Sequence, residues 1–216
     1  MISLFSFDMK NKSILLIDNK IFIIVFSLKL NNKLSKIKYF IPLNSLNKNL
    51  IKKYLEISIK SENLFFYICE YENEIIGYAL LARQPLFLIS EFKGIKYLIL
   101  LNLLFSFKLK TIMNILLSMS KIDLFFLSKE KRNIIDKTFN LNLLAIDRNF
   151  QSRGIGKAFV LNILEDIKKN NSLQTITVET FNKRAESFYK NKLNFHYIGK
   201  KLRFFKNLIV YEKKLL

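Results

Sequence analysis

Tryptophan is absent from this 216-residue chain, which also holds one cysteine, one histidine, two prolines and five glycines. A single cysteine, Cys69, excludes an internal disulfide and makes a reducing cytoplasm the natural compartment. Its neighbours Phe66, Tyr67, Ile68 and Tyr71 read as a strand, so Cys69 is expected to be a buried thiol and not a nucleophile. With His196 as the lone histidine, nitrogen and sulfur ligands are too few for a conventional metal site, and no metal is expected. His196 itself reads as a structural residue. So little glycine and proline, in a chain that is 50% hydrophobic, excludes a disordered or low-complexity protein. Met1 to Lys12 lacks the apolar core and cleavage site of a signal peptide.

Acidic residues are also scarce, 17 against 36 Lys and Arg, which leaves a formal charge of +19. Such a field attracts polyanions. Here the lysines are spread among Asn, Ile, Leu and Phe along the whole length, which points to a generally basic surface and sets nucleic acid aside as a partner.

What is present is a chain long enough for one domain with an elaboration. Ser13–Ile17 and Ile21–Leu30 flank the polar Asp18-Asn19-Lys20 and read as a hairpin or as two early strands. Asn44–Lys60 has helix-like apolar spacing, with Asn44 or Ser45 as its N-cap. Leu64–Tyr71 and Glu74–Ala82 predict an antiparallel hairpin. Residues 86–138 form a basic, apolar insertion in which Leu86–Ile89, Tyr97–Phe107 and Ile112–Met119 alternate with lysines. Tyr97–Phe107 is about half the roughly 20 residues that span a bilayer. The insertion therefore reads either as helices over the core or as an amphipathic hairpin on a membrane surface. Phe139–Asp147, Thr175–Thr180, His196–Arg203 and Leu208–Lys213 read as strands, and Gly154–Lys169 and Asn182–Lys192 as helices.

The stretch from Leu144 to Ala158, LAIDRNFQSRGIGKA, carries the chemistry. A strand ends, a polar loop follows, and Gly154 and Gly156 open a helix. Glycines there permit close approach of a ligand to the backbone, and free N–H groups with the helix dipole favour an anion such as a diphosphate. Arg153 and Lys157 add positive charge. The segment lacks the third glycine of a dinucleotide fingerprint and the Gly-Lys-Ser/Thr ending of a triphosphate loop. It resembles the Gln/Arg-x-x-Gly-x-Gly/Ala signature of the GNAT superfamily of N-acetyltransferases, with Gln151, Gly154 and Gly156 in the signature places. A second motif agrees. Asn182, Ala185, Phe188, Tyr189, Leu193 and Phe195 are similar to the family's Asn-x-x-Ala-x-x-Phe-Tyr and Leu-Gly-Phe, with Asn194 in the place of the glycine.

The resemblance implies an α/β fold of the α+β kind: a mixed, mostly antiparallel central sheet flanked by helices, as one domain over 1–216 with 86–138 as a helical insertion. It is similar in this respect to bacterial relatives with a long insert after the third strand. It implies acetyl-CoA as co-substrate, held by Leu144, Ala145, Ile146, by Gln151, Ser152, Arg153, Gly154, Ile155, Gly156 and Lys157, and by Asn182 and Tyr189. Asn182 also reads as a plain helix N-cap. Tyr189 matches the family's acid on the last helix, and packing in the core is its other reading. Some relatives carry a basic Glu where this chain has Thr177. Glu179 lies two residues on, on the same strand face, and is the candidate base, with water as the alternative.

The acceptor implied is an amine, first a small molecule such as an amino sugar. Alternatives are a protein N-terminus or lysine, and a non-catalytic acetyl-CoA-binding protein that docks on membrane or nucleic acid. The insertion is then a lid, a dimer surface or a contact with an anionic membrane.

Overall fold

A computed structural model describes residues 14–17, 21–24, 48–71, 74–85, 90–105, 109–120, 122–170, 175–202 and 207–215 of the chain. The strands are β1 (Ile14–Ile17), β2 (Ile21–Ile24), β3 (Leu64–Tyr71), β4 (Glu74–Ala82), β5 (Phe139–Ile146), β6 (Thr175–Thr180), β7 (His196–Lys201) and β8 (Leu208–Lys214). They form a mixed sheet in the order β1-β2-β3-β4-β5-β6-β8-β7. Every neighbouring pair is antiparallel except β5 and β6, which run parallel. The helices are α1 (Lys48–Lys60), α2 (Lys96–Phe105), α3 (Leu109–Met119), α4 (Lys129–Asp136), α5 (Ile155–Asn170) and α6 (Lys183–Ser187). A π turn, Phe188–Lys192, continues α6. The expected caps Asn44 and Ser45, the run Leu86–Ile89 and the end of the second early strand lie outside the described residues.

Both faces of the sheet are covered, because β3, β4 and β5 carry apolar side chains at successive positions instead of alternating with polar ones. Tyr67, Cys69, Phe139, Leu141, Ile176 and Val178 face α5, whose Phe159, Ile163 and Ile167 seal that side. Phe159 and Ile167 are wholly buried, and such side chains each contribute about 1.5–3 kcal/mol. The Tyr67 hydroxyl donates to Asp166 Oδ2 at 2.8 Å and ties α5 to the sheet. On the other face Leu64, Phe66, Ile68, Tyr78 and Leu80 pack with Leu50 of α1 and with Phe92, Ile95 and Ile112 from the insertion. A separate cluster, Leu124, Leu127, Ile135, Ile198 and Val210, seats α4 on β7 and β8. Ser128 caps α4, its side chain accepting from the Lys131 amide.

Two local features shape β5. Leu80 faces Leu143 and Leu81 faces Leu141, so Asn142 is an extra residue, a β-bulge. It shifts the alternation by one. Leu144 and Ile146 thereby reach the α5 side with Phe139 and Leu141, while Leu143 and Ala145 face the other way. Further along, Gly77 lies opposite Ile146, where a Cβ would sit 2.7 Å from the Ala145 carbonyl oxygen and 2.5 Å from Ile146 Cδ1. Only glycine lets β4 and β5 close at this end.

Candidate active site

The parallel strands β5 and β6 share only the pairs Phe139–Ile176, Asn140–Thr177 and Leu141–Val178. Past them β5 keeps its bonds with β4 as far as Ile146, and β6 keeps its bonds with β8 as far as Thr180. The strands part, and a V opens between the end of β5 and the end of β6. Its closed end is fastened by a buried polar cluster. Thr177 Oγ1 donates to the Phe139 carbonyl at 3.1 Å and accepts from Asn140 Nδ2 at 3.1 Å. Thr138 Oγ1 lies 3.3 Å away. The Thr177 hydroxyl is thus occupied in holding the two strands together.

The mouth of the V leads into the glycine loop. The Asp147 amide donates to Ile76 at 2.7 Å, the last link to β4, and Asp147 Oδ1 caps the following turn through the Asn149 amide at 2.8 Å. Both donors of Gln151 turn toward the protein: Nε2 to the Ile146 carbonyl at 2.8 Å, and the amide to Arg148 at 3.3 Å. Gln151 therefore braces the strand end. Ser152 and Gly154 take positive φ angles of 65° and 81°, and α5 then begins. Its opening backbone bond runs from Ala158 to the Gly154 carbonyl at 3.0 Å. The amides of Gly154, Ile155, Gly156 and Lys157 precede that bond and so have no helical acceptor. A Cβ on Gly154 would meet nothing within 4 Å, which leaves open space beside this first residue of the turn. The hydrogens of Gly156 instead face Ile146 and Phe188, at ordinary contact distances for a Cβ.

Positive charge gathers around this opening. Arg153, Lys157 and Arg184 are exposed, Arg153 lies over the Phe150 ring at 5.6 Å, and Arg184 Nη2 donates to Ser152 Oγ at 3.3 Å. Arg184 was not among the residues marked by the sequence. It lies within the second motif, two positions after Asn182, but its reach to the loop depends on how α6 sits beside α5. The arrangement suits a diphosphate, with backbone donors in front and guanidinium and ammonium groups at the rim.

The remaining candidates fall along β6 and α6. Asn182 is the N-cap of α6, its Oδ1 accepting from the Arg184 amide at 2.9 Å. Tyr189 lies in the π turn and is 6% exposed. Its ring packs against Phe188 and Phe195 at 5.3 and 5.5 Å, and burial pushes its phenol above the ordinary value. That phenol stays protonated near neutral pH, the form that can donate. Asn194 takes φ 55°, the left-handed conformation expected of the residue in the glycine's place. Glu179 lies past the shared pairs, on the Thr177 side of β6, where the Lys201 ammonium of β7 forms an ion pair with it. Their side chains are 19% and 8% exposed. His196 is exposed on β7. Cys69 is wholly buried, and burial pushes its thiol up to about 12. Among the described residues no three His, Cys, Asp or Glu side chains group to share a metal ion.

Residues 134–204 match the family model "FR47-like protein". A GNAT family acetyltransferase from Elizabethkingia anophelis with acetyl-CoA bound superposes with a TM-score of 0.50 at 15% identity, covering 91% of this chain and 99% of that one. The fold is that of the GNAT acetyltransferases. The polyamine N-acetyltransferase of Drosophila melanogaster gives a TM-score of 0.58 at 9% identity over 90% of this chain and 99% of its own. A Salmonella typhimurium acetyltransferase that modifies the N-terminal serine of a 50S ribosomal subunit protein gives 0.58 at 9% identity over 94% and 99%. No curated protein matches the sequence significantly. The GNAT-like opening is built from two glycines with different constraints, and alanine separates them. Gly154→Ala places a side chain at positive φ and should lower stability by about 1–2 kcal/mol. Gly156→Ala, at ordinary contact distances in the first helical turn, should leave it unchanged or raise it by about 0.4–1 kcal/mol. Urea midpoints at constant m-value read the difference, and equal midpoints would remove the special role of Gly154.

Proposed function

We propose that the chain transfers the acetyl group of acetyl-CoA to a primary amine on a small molecule, such as an amino sugar, by direct attack without a covalent enzyme intermediate. The observation that carries this reading is the V between β5 and β6 opening onto the unpaired amides that begin α5. The diphosphate of the co-substrate would sit on the amides of Gly154 to Lys157, with Ser152, Arg153, Lys157 and Arg184 around it. The thioester arm would run along Leu144, Ala145 and Ile146. Holding thioester and amine in line by itself removes about 7–11 kcal/mol of barrier.

The amine attacks the thioester carbonyl carbon as its own proton leaves, the carbon–sulfur bond breaks, and the sulfur takes up a proton. A backbone N–H on the open edge of β5 stabilises the carbonyl oxygen as it gains charge. Tyr189 is the proposed donor to the sulfur. For the amine proton we propose water that drains through the Glu179–Lys201 pair, because Glu179 already has a cation beside it and does not act as an isolated base. A small acceptor fits the insertion better than a peptide, since Phe92, Ile95 and Ile112 pack over β3 and β4 on the sheet face opposite α5.

The reading is tested by incubating the protein with acetyl-CoA and a panel of polyamines, amino sugars and N-terminal peptides while following free-thiol release. Release with at least one amine is expected, and binding without release from any of them would leave only a cofactor-binding protein. Gly154→Val should weaken coenzyme A binding by about tenfold or more in calorimetry, because a branched side chain fills the space beside the amides. Unchanged affinity in a cooperatively folding variant would move the diphosphate elsewhere. Tyr189→Phe keeps the ring packing and removes the proton, so kcat should fall by about 10²–10⁴-fold with little change in coenzyme A affinity. Wild-type turnover would return Tyr189 to the core.

A further inference from the structure

The hairpin of α2 and α3 has two apolar sides. Its inner side, with Ile95 just before α2 and Ile112 on α3 only 7% and 8% exposed, packs on the sheet. Its outer side carries Tyr97, Leu101 and Phe105 on α2, and Leu109, Met113 and Leu116 on α3, each between 39% and 81% exposed. The spacings, i, i+4, i+8 and i, i+4, i+7, put each set on one helical stripe. Phe105 and Leu109, 81% and 63% exposed, lie at the facing ends of the two helices. A contiguous outward apolar face of this kind is uncommon on a surface that meets only water. No described helix is long and apolar enough to cross a membrane.

Along the sequence, the charges between Glu91 and Asp123 have one sign. Residues 92–122 contain Lys93, Lys96, Lys108, Lys110 and Lys121 and no aspartate or glutamate. A second copy of the chain meeting this face across a two-fold axis would bring two such lysine-rich, acid-free segments together. A nucleic acid would satisfy the lysines and leave the apolar stripe in water. A bilayer with anionic headgroups satisfies both, since apolar side chains enter the acyl boundary while lysines lie at the headgroup level.

We infer that the α2–α3 hairpin is a docking surface for an anionic lipid bilayer, the protein lying on the membrane with Phe105 and Leu109 inserted. This surface is independent of the acetyl-transfer reading and is tested without catalysis. The full-length protein should sediment with phosphatidylcholine vesicles containing phosphatidylglycerol and not with phosphatidylcholine alone, and salt should release it. The double variant Phe105→Ser, Leu109→Ser keeps every lysine, changes only exposed side chains, and should lose binding by about tenfold or more. Lys108→Glu with Lys110→Glu should remove the preference for anionic vesicles. Undiminished sedimentation of the serine variant would mean that overall charge alone holds the protein to lipid, and would overturn the proposal. So would indifference to both vesicle types, or a solution dimer by light scattering that the serine variant dissolves.

Discussion

β5 and β6 are bonded to each other only between Phe139–Leu141 and Ile176–Val178, and the site depends on how early that pairing stops. Each strand stays fully engaged on its outer side, with β4 or with β8, so separating them breaks no sheet and leaves polar backbone edges facing a cleft. The Thr138–Asn140–Thr177 cluster fixes where the separation starts. Because its hydroxyls and amide satisfy one another in a buried place, removing one partner would leave the others unsatisfied. The glycine loop, the start of α5 and the positions of Glu179 and Tyr189 are all set relative to that point.

The bulge at Asn142 and the close contact at Gly77 act on the same strand from its other side. Without the extra residue, Leu144 and Ile146 would turn away from α5, and the helix would lose the contacts that seat its first turn. The floor beneath Gly156 is made of Ile146 and Phe188. Anion donors, strand end and last helix are therefore packed against a common point.

The parts of this arrangement that depend on neighbours in sequence were legible there. The hairpin β3–β4 begins and ends where its apolar runs do, Gly154 and Asn194 adopt the backbone that the motifs require, and Asn182 caps its helix by a contact two residues away. The parts that depend on register between distant segments were not legible. Arg184 reaching Ser152 and Lys201 reaching Glu179 span 32 and 22 residues, and nothing local to either arginine or lysine announces a partner. The same holds for Gln151, whose hydrogen bonds to Ile146 and Arg148 nothing in the signature announces. The π turn at Phe188–Lys192 also escaped, because its sequence FYKNK has the same apolar spacing as an ordinary helical turn.

The solitary cysteine has a consequence for any thiol that enters the cleft. Coenzyme A is itself a thiol, and under oxidising conditions it forms mixed disulfides with accessible cysteines on proteins. Cys69 lies on β3 with no exposed surface and a thiol that ionises only in strong alkali, so it offers coenzyme A no thiolate to join. Neither coenzyme A disulfide nor glutathione disulfide therefore has a cysteine to join on this fold.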